Sequence, residues 1–91
     1  GDLMAEIDNI GYCLVRELHP HKAFVTRAAE IGFSRPARIG DVITFMARRG
    51  REGTTSMTID VDGRVNDVEI CRATLIYVHV GPDGRKAPIK D

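Results

Sequence analysis

Apolar positions in the first eighteen residues recur at helical spacing. Leu3, Ile7, Ile10, Leu14 and Leu18 follow one another at intervals of three and four, with Met4, Gly11 and Val15 one position over. At 100° per residue these eight fall within one arc of about 140°, while Asp2, Ala5, Asn9 and Arg16 lie on the other side. The pattern predicts a helix over Gly1–Leu18. His19-Pro20 closes it, because the residue before a proline is pushed out of the α region. A helix apolar over more than a third of its girth must lie against something large, and a sheet is the expected partner.

Beyond Pro20 the pattern changes. Lys22–Ile31, with Phe24, Val25 and its alanines, reads as a strand, and Ser34–Gly40 as a loop around Pro36. Asp41–Arg49 is a second strand (Val42, Ile43, Thr44, Phe45), and Gly50-Arg51-Glu52-Gly53 a turn. Thr54–Val61 alternates, with Thr55, Met57, Ile59 and Val61 on one side and Thr54, Ser56, Thr58 and Asp60 on the other. Asp62-Gly63 reads as a further turn. Val68–Val80 is the longest strand, apolar on both faces in its second half (Leu75, Ile76, Tyr77, Val78), which predicts a central or covered position. Pro82-Asp83-Gly84 ends it, and the last seven residues read as a polar tail. One helix followed by four strands, the last three as an antiparallel meander, is an α+β arrangement in a single domain, 1–91. Four strands cannot cover such a helix from all sides, so the remaining apolar surface predicts an oligomer or a further piece of chain.

Size and charge narrow the function. A chain of 91 residues buries only about 60–65% of its unfolded surface, and oligomerisation is a common remedy. Thirteen Lys and Arg cancel thirteen Asp and Glu, which argues against a general nucleic-acid binder. No apolar run reaches the length of a membrane span. The opening Gly1-Asp2-Leu3-Met4 lacks the basic stretch of a signal peptide. Cys13 and Cys71 fit no metal spacing and sit in apolar segments, so buried free thiols in a reducing, cytoplasmic setting are expected. The three histidines do not cluster with them, and no metal site is expected.

Several short stretches match a known family in order and near-right spacing. They are Gly1-x-Leu3-Met4-x-x-x-Asp8-x-x-Gly11, Phe33-x-Arg35-Pro36-x-x-x-Gly40-Asp41, Gly53-Thr54-Thr55-Ser56, and Ala73-Thr74 through Tyr77-Val78-x-Val80 with Pro82-x-Gly84. Over nearly its whole length the chain resembles the YciA-like bacterial acyl-CoA thioesterases. The resemblance implies a hot-dog fold, an antiparallel sheet wrapped around a long central helix. It implies homodimers, some assembled as trimers of dimers, with the thioester at the dimer interface near the start of the helix. It also places the catalytic aspartate on Asp8, with a coenzyme A thioester as substrate and no cofactor. Two departures stand out. The family carries a first strand and a glycine-rich loop with an asparagine ahead of the helix, residues not found among these 91, and the segment between Val61 and Val68 is shorter than usual.

The chemistry can be weighed residue by residue. Asp8 lies at the margin of the apolar arc, where a carboxylate is more often a solvated acid of the first turns. A partly buried one could instead deprotonate water or attack the thioester itself, and the residues do not choose between the routes. Unpaired N–H groups at the helix start, near Gly1, could receive the oxyanion. Arg48, Arg49 and Arg51 cluster beside the Gly50–Gly53 turn, Arg35 and Arg38 flank Pro36, and Thr54, Thr55 and Ser56 add further donors. Arg35, Arg49, Arg51, Thr54, Thr55 and Ser56 are the candidates for coenzyme A, since the guanidinium fork suits phosphate. His19 and His21 read as solvated, His79 as a cross-strand or interface residue, and Tyr77 and Phe45 as core or interface. The competing reading is a non-catalytic hot-dog module that binds acyl-CoA or another small ligand. A related dehydratase would want a histidine in the site, and the helix has none.

Overall fold

The computed structural model describes residues 3–90. Helix α1 spans Leu3–Leu18, and four strands follow: β1 Ala23–Phe33, β2 Thr44–Glu52, β3 Ser56–Val65 and β4 Val68–Val80. They form one antiparallel sheet in the order β1-β4-β3-β2. The last three make the expected meander, and β1 crosses over to flank β4. β4 therefore has a neighbour on each side, the central position its sequence predicts.

The helix lies across one face of the sheet and touches all four strands. Its ridge Ile7, Gly11 and Val15 is buried against Met57, Ile59 and Val61 of β3 and Ala73, Leu75 and Tyr77 of β4. Burying one such aliphatic side chain contributes roughly 1.5–3 kcal/mol. Leu3, Ile10, Leu14 and Leu18 are only partly buried, so the apolar stripe is wider than this sheet covers. A second cluster of Val65, Ile70 and Cys71, packed with Ile31, Ile43 and Phe45, extends the core. The radius of gyration is 14.2 Å, against about 12 Å for a compact chain of this length. A single sheet with one helix on it is thin and elongated.

Several boundaries differ from the sequence expectation. Asp62-Gly63 is not a turn: β3 runs on to Val65, and the turn falls at Asn66-Asp67, whose φ angles are 51° and 65°. Two left-handed residues joining Val65 to its partner Val68 suit a tight hairpin, and Asn and Asp tolerate that conformation. Gly63 serves close packing instead, since a Cβ there would lie 2.6 Å from Cys71 Sγ. Gly50–Glu52 continues β2, with a register shift between Arg49 and Glu52. The last residues are not merely a polar tail. Ile89 is 1% exposed and joins the core, held by Ile89 N–H to Thr54 O (2.8 Å) and Ala87 N–H to His79 O (2.9 Å). Of the two thiols only Cys71 is buried. Cys13 is exposed, on the helix face turned from the sheet. Among the described residues no helix is long and apolar enough to cross a membrane.

Candidate active site

Asp8 stands in the second turn of α1, partly buried, beside the buried ridge. Two hydroxyls from the sheet converge on it. Thr26 on β1 and Tyr77 on β4 are direct cross-strand partners. Thr26 Oγ1 donates to Asp8 Oδ1 at 3.0 Å and to Oδ2 at 3.2 Å. Tyr77 Oη lies 3.0 Å from Asp8 Oδ1 and 3.0 Å from the Asp8 carbonyl oxygen. The register shifts immediately after Thr26, with Arg27 as the extra residue before Ala28, and bulges of this kind commonly re-aim a side chain beside a site. Burial, then the hydrogen bond and charge of Asp8, pushes the Tyr77 phenol far above its ordinary pKa of 10.0. Tyr77 is therefore a neutral donor throughout the working range.

β1 is an edge of the sheet. Its far side meets no strand among the described residues, and Val25 and Phe33 are 50% and 43% exposed. The aspartate thus sits over the open edge strand and its neighbour, in a chain whose helix keeps apolar surface uncovered.

The other candidates do not gather around Asp8. Gly1 lies outside the described residues. Arg35 donates to Asp41 Oδ2 (3.0 Å) and to the Pro36 carbonyl (2.8 Å), beside Ser34, whose N–H bonds to Ile70 O. Thr55 accepts from His79 N–H at the other end of β4. Nine residues of strand separate these anchor points, about 30 Å, so one chain does not bring Arg35 together with the Thr54–Ser56 turn. Arg49 does meet that turn: with Glu52, Gly53, Thr54, Pro88 and Lys90 it lines an open groove of about 600 Å³. Arg49 Nη2 is 3.9 Å from Glu52, and Arg51 is exposed. The Ser56 and Thr54 carbonyls accept from Gly53 and Ile89 N–H, so the turn spends its backbone oxygens on the fold.

Three further residues, Arg48, His19 and His79, have structural roles. Arg48 is paired with Asp62, which Arg64 also contacts, each at 3.2 Å. His19 Nε2 meets Glu52 at 2.9 Å, and His79 Nδ1 donates to the Ala87 and Pro88 carbonyls. Sequence reasoning missed Thr26 altogether and took Tyr77 for core or interface. The usable signal was parity: both residues lie on the helix-facing side of their strands and carry a polar tip there.

These features belong to a recognisable class. A family model described as the thioesterase superfamily matches residues 1–72, and the chain belongs to that superfamily. Its fold is the hot-dog fold. The acyl-CoA thioester hydrolase YciA of Salmonella typhimurium is 33% identical over 98% of this chain and 74% of its own length. A hexameric hotdog-fold thioesterase of Campylobacter jejuni superposes with a TM-score of 0.77 at 31% identity, covering 97% of this chain and 73% of its own. A Staphylococcus aureus acyl-CoA hydrolase, solved with butyryl coenzyme A, coenzyme A and coenzyme A disulfide, gives 0.83 at 27% identity, over 94% and 56%.

Proposed function

We propose that this protein hydrolyses acyl-CoA to a free acid and coenzyme A, with Asp8 as the group that activates water or attacks the thioester. The observation that carries the reading is a carboxylate gripped by two hydroxyls, one from the open edge strand and one from its neighbour. The thioester hydrolases among its relatives support it. As a base, Asp8 takes a proton from water while the oxygen attacks the thioester carbonyl. The tetrahedral oxyanion collapses, the C–S bond breaks, and the sulfur leaves as thiolate, to be protonated by solvent or Asp8. As a nucleophile, Asp8 displaces the thiolate to form a mixed anhydride, which water then cleaves. Neither route needs a cofactor.

The reading includes a homo-oligomer. Pairing β1 with β1 of a second copy satisfies the open edge and closes a seam beside Asp8, and a trimer of dimers follows the hexameric relative. Such an assembly is also how Arg35 of one copy and Arg49, Arg51, Thr54, Thr55 and Ser56 of another come to hold the phosphates of one coenzyme A. A helix start near Gly1 supplies oxyanion donors. A cytoplasmic setting, which keeps thiols reduced, completes the reading.

Release of free thiol from a panel of acyl-CoAs, wild type against Asp8→Asn, is the test. The expected result is turnover by the wild type and a loss on the order of 10²–10⁴-fold in kcat for the variant. Full activity in Asp8→Asn would remove Asp8 from the mechanism. A wild type that binds acyl-CoA but releases no thiol would leave a binding module.

A further inference from the structure

Tyr77 has no exposed surface, and its ring lies under α1 against Tyr12, centroids 6.1 Å apart. A phenylalanine would fill the same space with no polar atom to satisfy. A buried phenol must find a partner, and both of the hydroxyl's acceptors belong to one residue, Asp8: its Oδ1 and its carbonyl oxygen. One hydroxyl proton is shared between them, so the tyrosine ties the carboxylate to the backbone turn from which it projects. Thr26 grips the same carboxylate from β1. The result is asymmetric. Oδ1 receives both hydroxyls at 3.0 Å, whereas Oδ2 has only the longer 3.2 Å contact with Thr26.

The geometry points to Tyr77 as the positioning residue of the reaction: it anchors Asp8 through Oδ1 and leaves Oδ2 as the oxygen that meets water or the thioester carbon. This rests on the reading of Asp8 given above. Tyr77 has no exposed surface with which to reach the substrate. It acts by holding one carboxylate rotamer, and misplacement of a reacting group by about 1 Å costs up to ~10²-fold in rate. Substrate binding, carried by residues elsewhere, is left alone.

The experiment is steady-state thiol release by the wild type, Tyr77→Phe, Asp8→Asn and the double variant, in the intact assembly, with mass and circular dichroism confirming the fold. Tyr77→Phe is expected to lower kcat by roughly 10–100-fold with KM within about twofold, and to have no further effect in the Asp8→Asn background. A merely structural tyrosine would shift the melting temperature and leave kcat near wild type. That outcome, with Asp8→Asn still inactive, overturns the role of Tyr77 and leaves the function of Asp8 standing. Equal losses from Tyr77→Phe in both backgrounds also overturn it, because the effect would not pass through Asp8. Full activity in Asp8→Asn removes both readings together.

Discussion

Gly11 and Tyr77 meet so closely that no side chain fits between them: a Cβ on Gly11 would press on the tyrosine hydroxyl and lie 2.7 Å from Leu75 Cδ1. The hydroxyl cannot swing away, because Asp8 holds it. The bare helix turn at Gly11 is therefore what allows α1 to settle close enough for Tyr77 to reach the aspartate three residues earlier.

Gly11→Ala follows directly. Alanine gains about 1 kcal/mol of helix propensity, but overpacking a full core costs about 1–3 kcal/mol. The expected net effect is destabilisation by up to about 2 kcal/mol, read from the urea midpoint, with a fall in thiol release as Asp8 moves. A variant more stable than wild type would show that the helix can lift without cost.

The open edge of β1 predicts sensitivity to charge at its middle. Ala28 is exposed at the centre of the strand. If two copies pair antiparallel along β1, Ala28→Lys sets like charges near the two-fold axis, where they oppose pairing. The intact mass should shift toward monomer and thiol release should fall with it. An unchanged assembly would place the subunit contact elsewhere.

Asp41 gives the loop before β2 a pH dependence. Its carboxylate accepts from the Arg38 N–H at 2.8 Å and from Arg35 at 3.0 Å. The first of these most of all, then the second, lowers its pKa below the ordinary 3.8. A depressed folded pKa means a contribution present above 3.8 and lost as pH falls through the lower folded value. The Arg38 amide resonance should hold steady at neutral pH and move only below about pH 4. Asp41→Asn should abolish that titration, and a flat wild-type profile would show that the contact does not persist in solution.

The C-terminal strap should matter to stability out of proportion to its composition. Ile89→Ala is expected to cost about 2–4 kcal/mol, since Ile89 is 1% exposed within the core, while Lys90→Ala, at an exposed position, should change little. Equal midpoints for the two variants in urea would show that the strap is not docked.

Much of this architecture was legible in order along the chain. The spacing of Leu3, Ile7, Ile10, Leu14 and Leu18, the alternation of Met57, Ile59 and Val61, and the doubly apolar end of Val68–Val80 identified a helix on a curved antiparallel sheet, because helical and strand periods are local properties of backbone geometry. Asp8 stood out by its place in a matching motif. The turn after β3 was misplaced because Asp62-Gly63 carries as strong a local signal as Asn66-Asp67. What separates the two pairs is Gly63 packed against Cys71, a contact eight residues away. Ile89 was missed for a similar reason, since one apolar residue among Arg85, Lys86 and Lys90 has no period to reveal it.

The sequence alone thus determined the elements, their order and the family to which they belong, all carried by patterns between near neighbours. Only the tertiary structure decided what surrounds the aspartate. Thr26 and Tyr77 are 18 and 69 residues away from it. They reach it only because β1 crosses the sheet to pair with β4, and because a glycine lets the helix come down onto the tyrosine. Hydrogen bonds act over about 3 Å in space, whatever the separation along the chain.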